Sequence, residues 1–142
     1  MPIKKENKHR YPKSWKEIRQ RILRRAHYCC ENCGVRHQAW GWRDHKGEFH
    51  PVSKRTFIEA GWEKPPFVIA SDKGDLKIIE IVLTIAHLDH TPENCDPENL
   101  RAWCQRCHLS YDANHHAMTA AATRKKRLED AGQMILIGDE SC

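Results

Sequence analysis

Residues 85–116 read I-A-H-L-D-H-T-P-E-N-C-D-P-E-N-L-R-A-W-C-Q-R-C-H-L-S-Y-D-A-N-H-H, and metal-binding and proton-transfer side chains are denser here than anywhere else in the chain. The stretch begins at the end of an apolar run with His87 and Asp89. It crosses a turn held by Pro92 and Pro97. It then enters an expected helix that starts near 100–104 and carries Cys104, Cys107, His108 and Asp112. That helix should continue past Asp112, alone or with a second helix through Ala120, Ala121 and Ala122 to Leu128, and Gly132 should end it.

Cys104 and Cys107 form one Cys-x-x-Cys pair, and Cys30 and Cys33 form another in the run Y-C-C-E-N-C-G at 28–34. A tight turn lets two thiolates at this spacing face one ion, and Gly34 relieves the backbone at that turn. One such pair is a weak signal, whereas two predict a closed tetrahedral zinc site of the structural kind. Cys29 is a spare thiol that could stand in for Cys30, at a less usual spacing. The clamp should pin the N-terminal knuckle to the C-terminal helix and stabilise a chain of this size.

A second site follows from what that clamp would hold steady. His108 and Asp112 are four residues apart, so on a helix they share a face and can reach one cation. His87 at the strand end titrates near neutral pH and can serve as a base. Asn99, in the turn between them, can bond backbone across the loop and fix the angle of strand to helix. A base, a cation at the phosphate and a rigid frame are what phosphodiester hydrolysis requires.

The remaining chain supplies a frame and a surface. Residues 1–13 read as a flexible basic lead-in, with Pro2 and Pro12 against regular structure. Ser14 and Glu17 have the form of a capping box before a helix from Trp15 to Ala26. Trp15, Ile18, Ile22 and Leu23 give that helix one apolar stripe. Residues 35–75 read as a β-rich insertion whose aromatics (Trp40, Trp42, Phe49, Phe57, Trp62, Phe67) form a small core of their own. Its His37, His45 and His50 read as surface or packing residues, with no clean metal spacing. Asp72-Lys73-Gly74-Asp75 predicts a turn joining strands at 67–70 and 78–85 in a hairpin. The tail, residues 133–142, reads as a loose end or an edge strand.

At 142 residues one domain, spanning 1–142, is expected. No apolar run approaches the roughly 20 residues of a membrane span, and the polar N-terminus lacks a signal-peptide centre, which predicts a cytoplasmic protein with no membrane partner. The net charge is +5. Its basic residues cluster from Lys4 to Arg25, a stretch that includes Arg21, Arg24 and Arg25, and at Arg124, Lys125, Lys126 and Arg127. Such clusters favour a polyanion, and beside the candidate site they point to DNA.

Here the sequence resembles a family. His87, Asn99 and His108, enclosed by two Cys-x-x-Cys pairs, are similar to the motif of the HNH endonucleases, in particular the small zinc-stapled members of bacteria and their phages. The specific run is D-P-E-N-L-R-A-W-C-Q-R-C-H. The resemblance covers the first helix, the knuckle and 78–116, not the insertion. It implies an α+β fold with a ββα-metal core, a structural Zn2+, and metal-dependent hydrolysis of DNA with His87 as general base. It also implies Asn99 as the structural asparagine and His108 and Asp112 as ligands of one divalent ion, Mg2+, Mn2+, Ni2+ or Zn2+. One position departs: the family usually has a metal ligand directly before the catalytic histidine, and here that residue is Ala86. Asp89 or His90 could supply the missing ligand, or the two could replace the pair in a slipped register. Double-strand cutting by one site per chain would favour a dimer. A non-catalytic, zinc-stapled module that binds nucleic acid is the competing expectation.

Overall fold

The structure, a computed structural model, describes residues 3–132. The 133–142 tail lies outside the described residues. The chain divides into two compact units, one ending at His108 and one beginning at Leu109. Helix and sheet are mixed, as an α+β fold requires.

The first unit is built on a short antiparallel pair, β5 (Leu83–His87) and β6 (Leu100–Cys104), in which Leu83 faces Cys104 and His87 faces Leu100. β6 corrects the expected helix start at 100–104. Leu-Arg-Ala-Trp-Cys alternates, with Leu100, Ala102 and Cys104 buried and Arg101 and Trp103 half-exposed, and a period of two suits a strand. The helix, α3 (Gln105–Asp130), begins one residue later. Cys104 therefore sits on the strand end and Cys107 in the first helical turn.

Helix α1 (Trp15–Arg25) lays its apolar stripe on this pair. Ile22 and Leu23 join Ile81, Leu83, Ile85, Leu100, Ala102, Cys30 and Cys104 in one core, with Trp15 and Ile18 packed at its margin. Ser14 caps the helix without its side chain, so the expected capping box is not formed; the Glu17 and Ile18 N–H groups bond the Ser14 carbonyl instead, both at 3.0 Å. The lead-in is also more ordered than expected. Lys5–Arg10 forms a 3-10 helix, and Tyr11 packs on Trp15 with ring centroids 5.0 Å apart.

The insertion is a four-stranded antiparallel sheet in the order β2-β1-β4-β3. Its strands are β1 (Trp40–Arg43), β2 (Phe49–Pro51), β3 (Phe67–Ile69) and β4 (Leu76–Glu80), with α2 (Lys54–Glu59) between β2 and β3. Trp40, Phe67 and Ile78 are its own buried core, with Trp42, Val52 and Phe57 against them, as the aromatic content predicts. Gly41 is required where β1 meets β2, because a Cβ there would collide with the His50 carbonyl and the Phe49 ring.

The expected hairpin forms between β3 and β4, but the run 78–85 is not one strand. It breaks after Glu80 and changes sheets. Ile81 exchanges backbone hydrogen bonds with the segment after the knuckle, Gln38 N–H to Ile81 O at 2.7 Å and Ile81 N–H to Ala39 O at 2.8 Å. The Leu83 N–H is then taken by the His37 ring, at Nδ1, at 3.1 Å. His37 is thus a structural acceptor.

The second unit is the rest of α3. Apart from the buried Asp112 its side chains are exposed, and Thr119 and Thr123 bond the carbonyls one turn back. Among the described residues no helix is long and apolar enough to cross a membrane.

Burial, followed by the Arg19 charge, pushes the His37 pKa down, and burial does the same to His87. The unfolded chain therefore takes up these protons first as pH falls. The stability contributed by the neutral rings is whole above about pH 6.5 and is lost below it. The thermal midpoint should fall between about pH 7.5 and about pH 5.5, and the fall should be smaller in His37→Gln, as read by circular dichroism melts.

Candidate functional site

The two Cys-x-x-Cys pairs meet. The Sγ atoms of Cys30, Cys33, Cys104 and Cys107 all lie within 4.8 Å of one another, with Cys30 and Cys104 buried. Cys33 and Cys104 are 3.7 Å apart. Four sulfurs at about 2.3 Å from one zinc ion are separated by roughly 3.8 Å, so the residues fit a tetrahedral ion.

The local chain explains the convergence. The Cys30 N–H bonds the Val35 carbonyl at 2.8 Å and the Gly34 N–H returns to the Cys30 carbonyl at 2.9 Å, closing the knuckle, with Gly34 at φ 79°. Glu31 then fastens the knuckle to the β6 edge. Its N–H bonds Ala102 O at 2.9 Å, and its carboxylate accepts the Ala102 N–H at 2.7 Å. Arg25 grips Glu31 with Nε and Nη2 and also donates to the carbonyls of Pro97 and Leu100, both at 2.7 Å. Its guanidinium is thereby engaged in holding the frame.

Donors surround the sulfurs. Asn32 Nδ2 lies 3.2 Å from Cys107 Sγ, Arg43 Nη2 3.5 Å from Cys104 Sγ, and the Cys104 N–H 3.3 Å from Cys30 Sγ. A hydrogen bond from the Cys104 thiol, helped by backbone N–H groups, pulls the Cys30 pKa down to about 4. By the same sharing the Cys104 thiol is pushed up. The cluster is ready to give up a first proton and, with a cation present, the rest. Cys29 is not in the group; it pairs through backbone with Arg36.

On the same pair of strands His87 ends β5. It is 9% exposed, and its Nε2 is buried without a hydrogen-bond partner. Trp15 stacks on its ring at 5.3 Å and Tyr11 meets it edge-on at 5.8 Å. Burial, followed by the charge of His108 among the lowering causes, holds its pKa below the usual value, so the neutral base is its form at pH 7. Ala86 is buried beside it in the sequence.

Asn99 braces the loop between the strands. Its Nδ2 donates to Asn94 O and to Asp89 Oδ1, both at 2.9 Å, and its Oδ1 accepts the Asp89 N–H at 3.2 Å. Asp89 receives further bonds from Asn94 Nδ2 and the Thr91 N–H. These donors, Asn94 first, hold its carboxyl down to about 2. Asp89 is thus an anchor of the loop, with both oxygens already bonded. His90 turns the chain with φ 56°, its N–H on the His87 carbonyl at 3.1 Å.

His108 Nδ1 lies 2.7 Å from Thr84 Oγ1 on β5, and that hydroxyl donates to Trp103 O at 3.3 Å. Whichever of the two, Nδ1 or the hydroxyl, carries the shared proton, this contact fixes the orientation of the His108 ring from the strand side. Asp112, in the second unit, is buried and 3.9 Å from His116. Arg21 and Arg24 line an open groove of about 510 Å³ on α1 with Lys16, Glu17 and Gln20. Arg124, Lys125, Lys126 and Arg127 are exposed on α3.

Among the described residues one other group brings ligand atoms within 4.8 Å of one another: Asp44, Glu48 and His50. It joins the β1 and β2 ends. Asp44 Oδ1 accepts the N–H groups of Lys46 and Glu48, and Oδ2 meets His50 Nε2 at 2.9 Å while the His50 ring stacks on Trp42. Hairpin alternation in W-R-D-H-K-G-E-F-H carries the signal for this pairing; Cys and His spacing does not. His87, Asp89, His90 and His108 belong to neither group.

No protein-family model matches the chain, and no curated protein or solved structure does so either. The four-cysteine group is the part of the site whose chemistry follows from geometry alone: it can bind zinc. The protein should carry one zinc per chain by elemental analysis, and Cys104→Ser should reduce this to near none. A strong chelator should lower the melting temperature of the wild type by more than that of the variant.

Proposed function

We propose that the protein is a DNA endonuclease of the HNH kind, in which His87 draws the proton from the attacking water. The observation that carries this reading is the pair β5–β6 with the helix that follows it. The four-cysteine group joins its far end, Asn99 braces its loop, and the strand that ends in His87 also holds the His108 ring through Thr84. His87, neutral at pH 7, can accept a proton. Asn99 and Asp89 set the loop, and so the angle at which the His87 ring is offered. His108, oriented by Thr84, is the residue of this unit suited to a divalent ion, which when bound would stabilise charge at the scissile phosphate. Arg21, Arg24 and the run Arg124–Arg127 would bind backbone phosphates, so binding should weaken steeply with salt.

A second reading has its own support. Ala86 offers no ligand and His87 Nε2 is enclosed, as in a zinc-stapled module that binds nucleic acid without cutting it. Plasmid nicking by the zinc-loaded chain, with Mg2+, Mn2+, Ni2+ or no added metal, separates the two. The endonuclease reading expects metal-dependent nicking that drops at least ~100-fold in His87→Ala, with DNA binding nearly unchanged. Salt-sensitive binding without nicking under any metal would establish the binding module.

A further inference from the structure

The proposed base is covered by the chain that precedes α1. Lys5–Arg10 winds as a 3-10 helix, and Tyr11 and Trp15 follow it directly against the His87 ring. Arg10 crosses to the loop beyond His87. Its Nε and Nη2 meet the two carboxylate oxygens of Glu93 at 2.6 and 3.0 Å, the fork-to-fork form of the pair. A contact between residues so far apart in sequence closes the segment over the ring like a buckle.

The enclosure has a cost that the fold does not remove. A buried ring nitrogen without a hydrogen-bond partner loses its water and gains nothing in return. Lifting the segment would take the Tyr11 ring off His87 and open that side of the imidazole to water or substrate. Among the described residues the covered arrangement is held by few interactions: the Tyr11 ring on His87 and on Trp15, and one ion pair whose side chains are 38% and 52% exposed. An exposed pair is screened by salt, so this closure is built to open.

We propose that residues 5–11 are a strap, closed in this structure, which masks His87 and is latched by Arg10 and Glu93. The inference rests on the reading of His87 as the base only for its functional meaning; the masking itself is tested separately. An enzyme with such a strap is held inactive until the segment lifts. The segment is basic, with Lys5, Lys8 and Arg10 against the single Glu6, and a phosphate backbone would compete with Glu93 for Arg10.

The test is histidine modification of the full zinc-loaded chain by diethyl pyrocarbonate, with each site located by peptide mass mapping. His116, with a side chain 59% exposed, is the internal reference. His87 should react far more slowly than His116. Arg10→Ala and Glu93→Ala should each speed modification of His87 severalfold, and so should raised salt in the wild type. The exchange Arg10→Glu with Glu93→Arg should restore protection. Zinc content and circular dichroism verify the fold of each variant. If a single variant does not fold, Tyr11→Ala and the exchanged pair carry the same comparison. Reaction of wild-type His87 as fast as His116, or a rate indifferent to both latch residues, would overturn the strap. Plasmid nicking by the same variants reads the other question: unmasking of His87 without any nicking keeps the strap and removes the endonuclease.

Discussion

The structure of the first unit depends on four sulfur atoms brought to one point from two ends of the chain. Cys33 and Cys104 are 71 residues apart in sequence and 3.7 Å apart in space. Closing so long a loop costs entropy, but that cost grows only slowly with length, and a metal–thiolate group is strong enough to offset it. Each pair contributes something different. The knuckle brings its own closed turn, while Cys104 and Cys107 straddle the passage from strand to helix. The ion would therefore fix where β6 ends and where α3 begins. Leu83 lies opposite Cys104, so β5 is placed by the same constraint, and His87 with it.

From this point outward the structure is a chain of braces. Arg25 holds Glu31, Glu31 holds the β6 edge, and Arg25 also reaches the backbone at Pro97 and Leu100 where the loop returns. At the other end of the strands Asn99 and Asp89 lock the loop by reciprocal bonds. Between these fixed ends lie two histidines treated differently. His108 has its ring set by a hydroxyl. His87 has its ring set by aromatic contact and by a hydrogen bond to the Pro92 backbone, which leaves its buried Nε2 as the atom without a partner.

Much of this was legible in the sequence where one residue type has one dominant use. Paired cysteines, the apolar stripe of α1, the turn at 72–75 and the aromatic core of the insertion each follow from spacing or composition. The misread elements have a common cause: a local signal overridden by a distant partner. Pro97-Glu98-Asn99 looks like a helix start and does form one 3-10 turn, but pairing with β5 then claims 100–104 as strand. Ser14 and Glu17 look like a capping box, yet backbone bonds serve that helix start. The lead-in looks unstructured until Glu93, remote in sequence, supplies its anchor.

The neck of the insertion carries a consequence beyond packing. The chain leaves the knuckle through Gln38 and Ala39 and comes back through Ile81, and these three residues bond one another. Whatever is threaded between them enters and exits at one closed point. The lobe of residues 40–80 touches the clamp beyond that neck at few points, Arg43 on the Cys104 sulfur and the Lys46 and Gly47 carbonyls on Arg106, so the face of the lobe away from those contacts can change while the distance from Cys33 to β5 stays the same. Such an arrangement separates two rates of change within one small protein. The metal-clamped strands carry the paired and braced positions, and the outer face of the lobe can acquire new surfaces so long as Arg43 and the 46–47 turn keep their contacts.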